Sequence, residues 1–381
     1  MKIGILTHPL RTNYGGVLQN YALQYVLKSC GYTVETIDWQ ENKSIIYIAL
    51  SYVYRMFTHY VLHKKNVPTD MFLNLTEKQF LYISSNFQTF IKKNIQKSKY
   101  IPSKRNIRKV NDFGYDVVIV GSDQVWSNQY VPMMFLDFVK DDDVKRIAYA
   151  ASFGKDYWTY DKRTTEICSQ LAKKFQAISV REDSAISLCE NYLHVSAEQV
   201  LDPTLLLDKE VYSSLIKETN ITGHYLMTYI LDTNSYTECI IKKVTESLNL
   251  KEFTIRENKE TWRISSDNSG LIVKPIENWL KGIRDSDFVV TDSFHGVVFS
   301  IIFNKQFLAI GNKRRGLARF QSILKQFNLL DRLVLEDTKI EELLKNLKPI
   351  DYNNINWRKK ELQVLSLSFL KNNLELNNGK Q

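Results

Sequence analysis

Apolar and polar positions alternate along this chain in two rhythms, one of strands and one of helices. Lys2 to His8, KIGILTH, is a β-rich run that predicts a buried first strand. A polar turn, PLRTNYGG, follows. VLQNYALQYVLKSCG then places Leu18, Ala22, Tyr25 and Val26 on one helical stripe, with Gly31 as its stop. TVETIDW supplies the next strand. Such a β-loop-α-β unit begins a parallel, doubly wound sheet. YDVVIVGSD, RIAYAASFG, AISVRED and EQVLDPTLLL read as further strands, with a helix between Thr164 and Phe175.

A second start falls near Gly223. YLMTYIL is a strand, SYTECIIKKVTESLN a helix and KEFTIRE a strand. IENWLKGIRDS is a helix, DFVVTDSFHG a strand and its turn, VVFSIIFN a helix and QFLAIG a strand. The expected fold is α/β, with two Rossmann-like doubly wound domains facing across a cleft. The expected N-terminal domain is 1–205, with a basic, helix-prone insertion at about 43–110. The second domain is 206–345, and 346–381 is a helical tail. No internal repeat or low-complexity segment is visible.

The chain has 381 residues, enough for two domains, and its 44% apolar and 24% charged content is that of a globular protein. The net charge of +9 suggests an anionic partner: a phosphorylated small molecule, a membrane surface or a nucleic acid. A basic bias of the source proteome would also produce it. The basic residues are scattered and no reader motif is present, so nucleic acid is not expected. Cys30, Cys168, Cys189 and Cys239 are far apart and form no CxxC pair, which argues against zinc and disulfides. No His/Cys/Asp cluster has metal-ligand spacing. The expectation is a cytoplasmic protein without a signal peptide. Ser44 to Leu62, SIIYIALSYVYRMFTHYVL, has nearly the length of a membrane span, but Arg55 and His59 interrupt it. It reads as a helix covering a domain, or as one lying in a membrane interface with peripheral contact through 44–65.

In open α/β sheets ligands bind beyond the carboxyl ends of strands, so the turns there carry the candidate chemistry. In TDSFHG, Asp292 or Ser293 can cap the following helix. His295 and Gly296 lie where a helix N-terminus favours an anion, and His295 can donate a hydrogen bond or pass a proton. In TNYGGVLQ, Gly15 and Gly16 allow close approach to a ligand, or serve a tight turn. This is neither GxGxxG nor a P-loop. In VIVGSDQVW, Ser122 and Asp123 face the expected cleft; Asp123 is a candidate general base or a cap. Trp126 could stack on a sugar or fill a core. Arg181, after the strand in ISVRED, offers a fork for carboxylate or phosphate. It could otherwise pair with Glu182 or Asp183, though these adjacent residues are not expected to face it. Lys313, Arg314, Arg315 and Arg319 form a cationic loop leading into a helix, either solvated or in contact with phosphate.

Read in order, TNYGGVLQNYALQ, DVVIVGSDQVW, RIAYAASFG, ISVREDS, VLDPTLLL and DFVVTDSFHGVVFSIIFNKQF resemble the polysaccharide pyruvyl transferase family. The resemblance implies a GT-B-like fold with the active site between the domains. It implies phosphoenolpyruvate as donor and no cofactor. The acceptor would be a sugar of a cell-surface glycan or its lipid-linked precursor, and the product a pyruvate ketal, with phosphate released. By position, His295 looks like the residue that contacts or protonates the donor and Arg181 like a donor anion ligand. Ser293, Gly296, Lys313 and Arg319 fall on the donor side. Asn13, Tyr14, Gly15, Gly16 and Trp126 fall on the acceptor side, and Asp123 is a catalytic candidate. Two rivals share the pattern. One is a GT-B glycosyltransferase using a nucleotide sugar, although no acid of the second domain is obviously placed to hold a ribose. The other is a non-catalytic protein of a glycan locus.

Overall fold

The computed structural model describes all residues except 41–44, 64–76, 217–222, 256–271, 312–315 and 376–381. Two parallel sheets form. The first contains β1 (Lys2–Leu6), β2 (Thr33–Thr36), β3 (Val117–Val120), β4 (Lys145–Ala151), β5 (Ala177–Val180) and β6 (Glu198–Gln199), in the order β2-β1-β3-β4-β5-β6. The second contains β7 (Tyr225–Tyr229), β8 (Lys251–Thr254), β9 (Phe288–Thr291), β10 (Gln306–Ile310) and β11 (Leu333–Val334), in the order β11-β10-β9-β7-β8. Both sheets therefore place their second strand outside their first, and the order reverses at β1/β3 and at β7/β9.

Helices α1 (Tyr14–Ser29), α2 (Ile45–Tyr60), α3 (Glu77–Ile83), α4 (Ser85–Asn94), α5 (Lys162–Ala172) and α6 (Ser184–Leu188) accompany the first sheet in sequence. Helices α7 (Lys209–Ser213), α8 (Ser235–Leu248), α9 (Ile276–Asp285), α10 (Phe294–Ile302), α11 (Leu317–Gln326) and α12 (Ile340–Asn346) follow, before α13 (Tyr352–Leu374). The expected insertion is the β2-to-β3 crossover: α2, α3, α4 and a 3₁₀ stretch, Lys104–Phe113. EQVLDPTLLL is not one strand. Pairing stops at Gln199, and Pro203–Leu206 coils into a 3₁₀ turn capped by Asp202, because proline fixes a helical φ at the first position. Tyr25, expected on the buried stripe of α1, is 43% exposed.

The inner strands β1, β3, β7, β9 and β10 are apolar on both faces, as parallel strands covered by helices must be. Val117 and Ile119 of β3 pack into one core and Val118 and Val120 into another. In β9, Val289 enters the first of these cores, while Phe288 and Val290 enter a third. The first core is shared by both sheets. It joins Tyr14, Val17 and Leu18 of α1 to Trp279 of α9 and to Val297 and Phe299 of α10.

Candidate active site

The two points of strand-order reversal meet in this shared region, and the β9–α10 turn carries the second half's contribution. Ser293 caps α10 with its hydroxyl on the Gly296 N–H at 3.4 Å, so the expected cap is the serine. Asp292 does other work. Its carboxylate accepts the N–H groups of Leu231 (2.6 Å) and Asp232 (2.9 Å), tying the β7 exit loop to β9.

His295 projects into the first half. A Cβ placed on Gly15 would lie 2.0 Å from its Nδ1 and 2.2 Å from its Cγ, so the bare backbone of α1 is what admits the imidazole. The close approach expected at Gly15 is therefore to His295. On the other side of the ring, Nε2 faces Oδ2 of Asp202 at 3.6 Å.

Asp202 is buried, and its carboxylate is fully engaged. Oδ1 accepts from the Thr204 N–H (3.0 Å) and hydroxyl (2.6 Å). Oδ2 accepts from the Ser122 hydroxyl (2.9 Å) and from Nη1 of Arg181 (3.0 Å). Burial alone would raise its pKa, but His295, Arg181 and Thr204 hold it far below the ordinary carboxylate value. Nothing in the sequence reading selected Asp202. Its signal was present in LDPT, an Asp before a proline where a strand turns into a 3₁₀ coil. Ser122 is fully buried and serves this carboxylate.

Arg181 leaves β5 directly into this cluster with 4% exposure. Burial works against its charge, yet Asp202, Glu182 and Asp123 together raise its pKa above the ordinary arginine value. Glu182, not expected to face it, has Oε2 3.9 Å from Arg181 Nε. Its Oε1 accepts from the Ser152 hydroxyl at 2.7 Å. Asp183 instead caps α6. The Arg181 guanidinium lies over the Phe294 ring, 4.2 Å from its centroid, and that of Arg319 lies 5.9 Å from the same ring. With its amide oxygen turned to Arg319, Gln124 accepts from Nη1 and Nη2 at 2.7 and 2.9 Å. Lys313 lies outside the described residues.

Asp123 adopts a left-handed backbone with φ of 91°, an uncommon conformation outside glycine. Its carboxylate lies 3.9 Å from Arg181 Nη2. Burial opposes its charge, but His8, Arg181, His295 and Arg319 bring its pKa below the ordinary value. Asp123 also lines an open pocket with Thr7, His8, Arg11, Asn13 and Gly16. His8, two residues beyond β1, was not singled out in the sequence. Its Nε2 is buried without a hydrogen-bond partner among the described residues. Asn13 caps α1 by accepting the Gly16 N–H at 3.1 Å.

Two expected sugar platforms are core residues instead. Trp126 has 0% exposure, stacks on Phe135 at 4.7 Å and donates its Nε1–H to the Met134 carbonyl. Tyr14 stacks on Trp279 at 5.4 Å, tilts against Phe87 and donates its hydroxyl to the Lys274 carbonyl. Neither ring has a face left for a ligand. Among the described residues no group of three or more His, Cys, Asp or Glu side chains could hold a metal ion.

Two parallel α/β sheets, with a buried cluster of cations and ionised carboxylates where their switch points meet, define a GT-B-like protein. The family model for polysaccharide pyruvyl transferase matches residues 13–314, and the chain belongs to that family, one of transferases in polysaccharide biosynthesis. Among solved structures, it is similar to Arabidopsis thaliana UGT89C1 complexed with UDP-L-rhamnose, with a TM-score of 0.50 and 9% identity over 97% of this chain and 98% of that one. It is also similar to a putative UDP-N-acetylglucosamine 2-epimerase from Listeria monocytogenes, with a TM-score of 0.49 and 11% identity over 95% and 90%. Identities this low speak to fold alone. No match was found among curated proteins.

Proposed function

We propose that this protein transfers pyruvate from phosphoenolpyruvate to two hydroxyls of one sugar, as a ketal, and releases phosphate. The acceptor is a sugar of a cell-surface glycan or of its lipid-linked precursor. The observation that carries this reading is the meeting of Arg181, Arg319 and His295 around Phe294 at the N-terminus of α10. A donor bearing both a carboxylate and a phosphate needs such cationic groups in a water-poor cleft.

In this reading Ser293, Gly296 and the first turn of α10 hold the donor with the two arginines. His295 gives a proton to the methylene carbon of the donor, which becomes a methyl group and leaves an oxocarbenium-like centre at C2. One sugar hydroxyl attacks C2 and gives up its proton. The C2–O bond to phosphate breaks, and the second hydroxyl closes the ring. Of the two hydroxyl protons, one replaces that given by His295 and the other leaves on phosphate. Asp202, ionised beside His295, stabilises the imidazolium before transfer. Asp123, kept ionised by the cations around it, is the carboxylate placed to take a hydroxyl proton. The pocket lined by His8, Arg11, Asn13 and Gly16 receives the sugar.

The test is phosphate release from phosphoenolpyruvate with a panel of aryl glycosides, with products weighed by mass spectrometry, for wild type beside His295→Ala. The expected result is a product heavier by one pyruvate less one water, with release about 10²- to 10⁴-fold slower in the variant. Thermal protection by a UDP-sugar with none from phosphoenolpyruvate would overturn the donor assignment.

A further inference from the structure

Helix α2 leaves an apolar face exposed. Leu50, Val53, Tyr54, Phe57, Tyr60 and Val61 recur at the three- and four-residue spacing of one helix face. Each of the six is between 51% and 67% exposed. The Val61 N–H bonds to the Phe57 carbonyl, so the last of them still belongs to the helical turn. The opposite side is mixed: Thr58 is buried, and Ser51, Tyr52, Arg55, Met56 and His59 are half-buried. A helix that served only to cover its own domain would not leave its more continuous apolar face outside. At more than half exposure, six such side chains offer on the order of 500 Å² of apolar surface, a patch that marks an interaction site.

Charge identifies the occupant. No acidic residue falls between Glu41 and Asp70, whereas Lys43, Arg55, Lys64 and Lys65 do, so four bases and no acids give that stretch a net charge of +4. A second copy of the chain would bring the same positive segment against itself. An anionic lipid surface accepts the apolar face, the tyrosines at its edge and the basic flanks together. The helix has 16 residues, about 24 Å at the usual rise, with Arg55 near its middle. Among the described residues no helix is long and apolar enough to cross a membrane, so α2 would lie flat.

We propose that α2 is an interfacial anchor that seats the protein on anionic membranes. This inference stands on α2 and not on pyruvyl transfer. The test is co-sedimentation of the full-length protein with phosphatidylcholine vesicles, with and without phosphatidylglycerol at about one lipid in four. Wild type is compared with the double variant Val53→Glu/Phe57→Glu, and thermal melting is used to establish that both are folded. The proposal expects wild type to pellet only with the anionic vesicles and to be released by high salt, and the variant to partition roughly tenfold or more weakly. Wild type remaining in the supernatant, or a folded variant pelleting as wild type does, would overturn it. So would light scattering that finds a wild-type dimer, dispersed by the variant, with no vesicle binding.

Discussion

Gly15 and Asp202 decide whether His295 can occupy its place. Alanine is normally favoured over glycine inside a helix by about 1 kcal/mol, so Gly15→Ala at the start of α1 would by itself be stabilising. The steric contact reverses the sign, because the new methyl would fall 2.0 Å from a ring that is itself buried. We expect Gly15→Ala to destabilise the fold by about 1–3 kcal/mol and to lower phosphate release. Gly16→Ala, whose Cβ would meet only Asn13 Nδ2 at 3.2 Å, should stay within about 1 kcal/mol of wild type. Urea unfolding of the pair decides it, and equal stabilities would remove the clamp on His295. Asp202→Asn keeps the shape and deletes the charge opposite Arg181, which should cost about 3 kcal/mol because a buried guanidinium loses its nearest partner, with Glu182 and Asp123 remaining at 3.9 Å. The pH dependence follows in sign. A carboxyl depressed in the folded state contributes stability that is complete above its unfolded value of about 3.9 and is lost as pH falls toward its folded one. Wild-type stability should therefore fall as pH drops below about 4, with a shallower slope in Asp202→Asn, in unfolding curves taken between about pH 6 and about pH 3. An unchanged slope would mean that Asp202 is not depressed.

At the level of elements, α11 delivers Arg319 through a backbone contact between the two halves. Gly316, its cap, has φ of 90°, and a Cβ there would lie 2.1 Å from the Gly154 carbonyl oxygen. Gly31 has a similar φ of 85° with nothing within 4 Å of its would-be Cβ, and so isolates the backbone term. Gly31→Ala should cost about 1 kcal/mol. Gly316→Ala should cost clearly more, about 2 kcal/mol or above, since a main-chain atom cannot swing aside, and it should carry Arg319 away from Gln124. Thermal unfolding of the two variants with phosphate release checks this, and matching losses would show that the halves do not meet at Gly316. The same elements explain what was legible in the sequence. The strands β1, β3, β7, β9 and β10 are runs buried on both sides, and a run of that kind announces itself. The short β11, two residues long, carries too little pattern to be seen. His295, Arg181 and Asp123 were legible as candidates because each follows a strand. Asp202 was missed because the apolar residues around it, VL and LLL, made one strand of what is a strand end and a coil. Trp126 and Tyr14 were misread because an aromatic side chain looks the same in sequence whether it faces a ligand or a core.

For the whole molecule, α13 makes one body of the two sheets. At its start Tyr352 donates its hydroxyl to the Lys305 carbonyl, and Arg358 Nε donates to the Gln326 carbonyl at 3.4 Å, both in the second half. Farther along, Gln363 donates to the Leu205 carbonyl at 2.8 Å, and the Ser366 hydroxyl accepts the Leu201 N–H at 2.9 Å. Phe369 then packs on Tyr149, whose own hydroxyl donates to the Leu201 carbonyl. Leu201 is thus gripped on both its backbone groups by α13 and by the residue α13 covers, and the next residue is Asp202. A change more than 160 residues away in sequence should therefore reach the site. Phe369→Ala removes a buried ring and should cost about 3–5 kcal/mol, with further loss of phosphate release at temperatures where the variant is still folded. Ser366→Ala removes the acceptor for the Leu201 N–H along with the hydroxyl's own bond to the Leu362 carbonyl, and should cost about 1–3 kcal/mol. If Phe369→Ala melts early yet turns over normally below its transition, α13 supports the fold without setting the position of Asp202. A drop in turnover for Ser366→Ala, with little change in melting, would place the coupling at the Leu201 backbone itself.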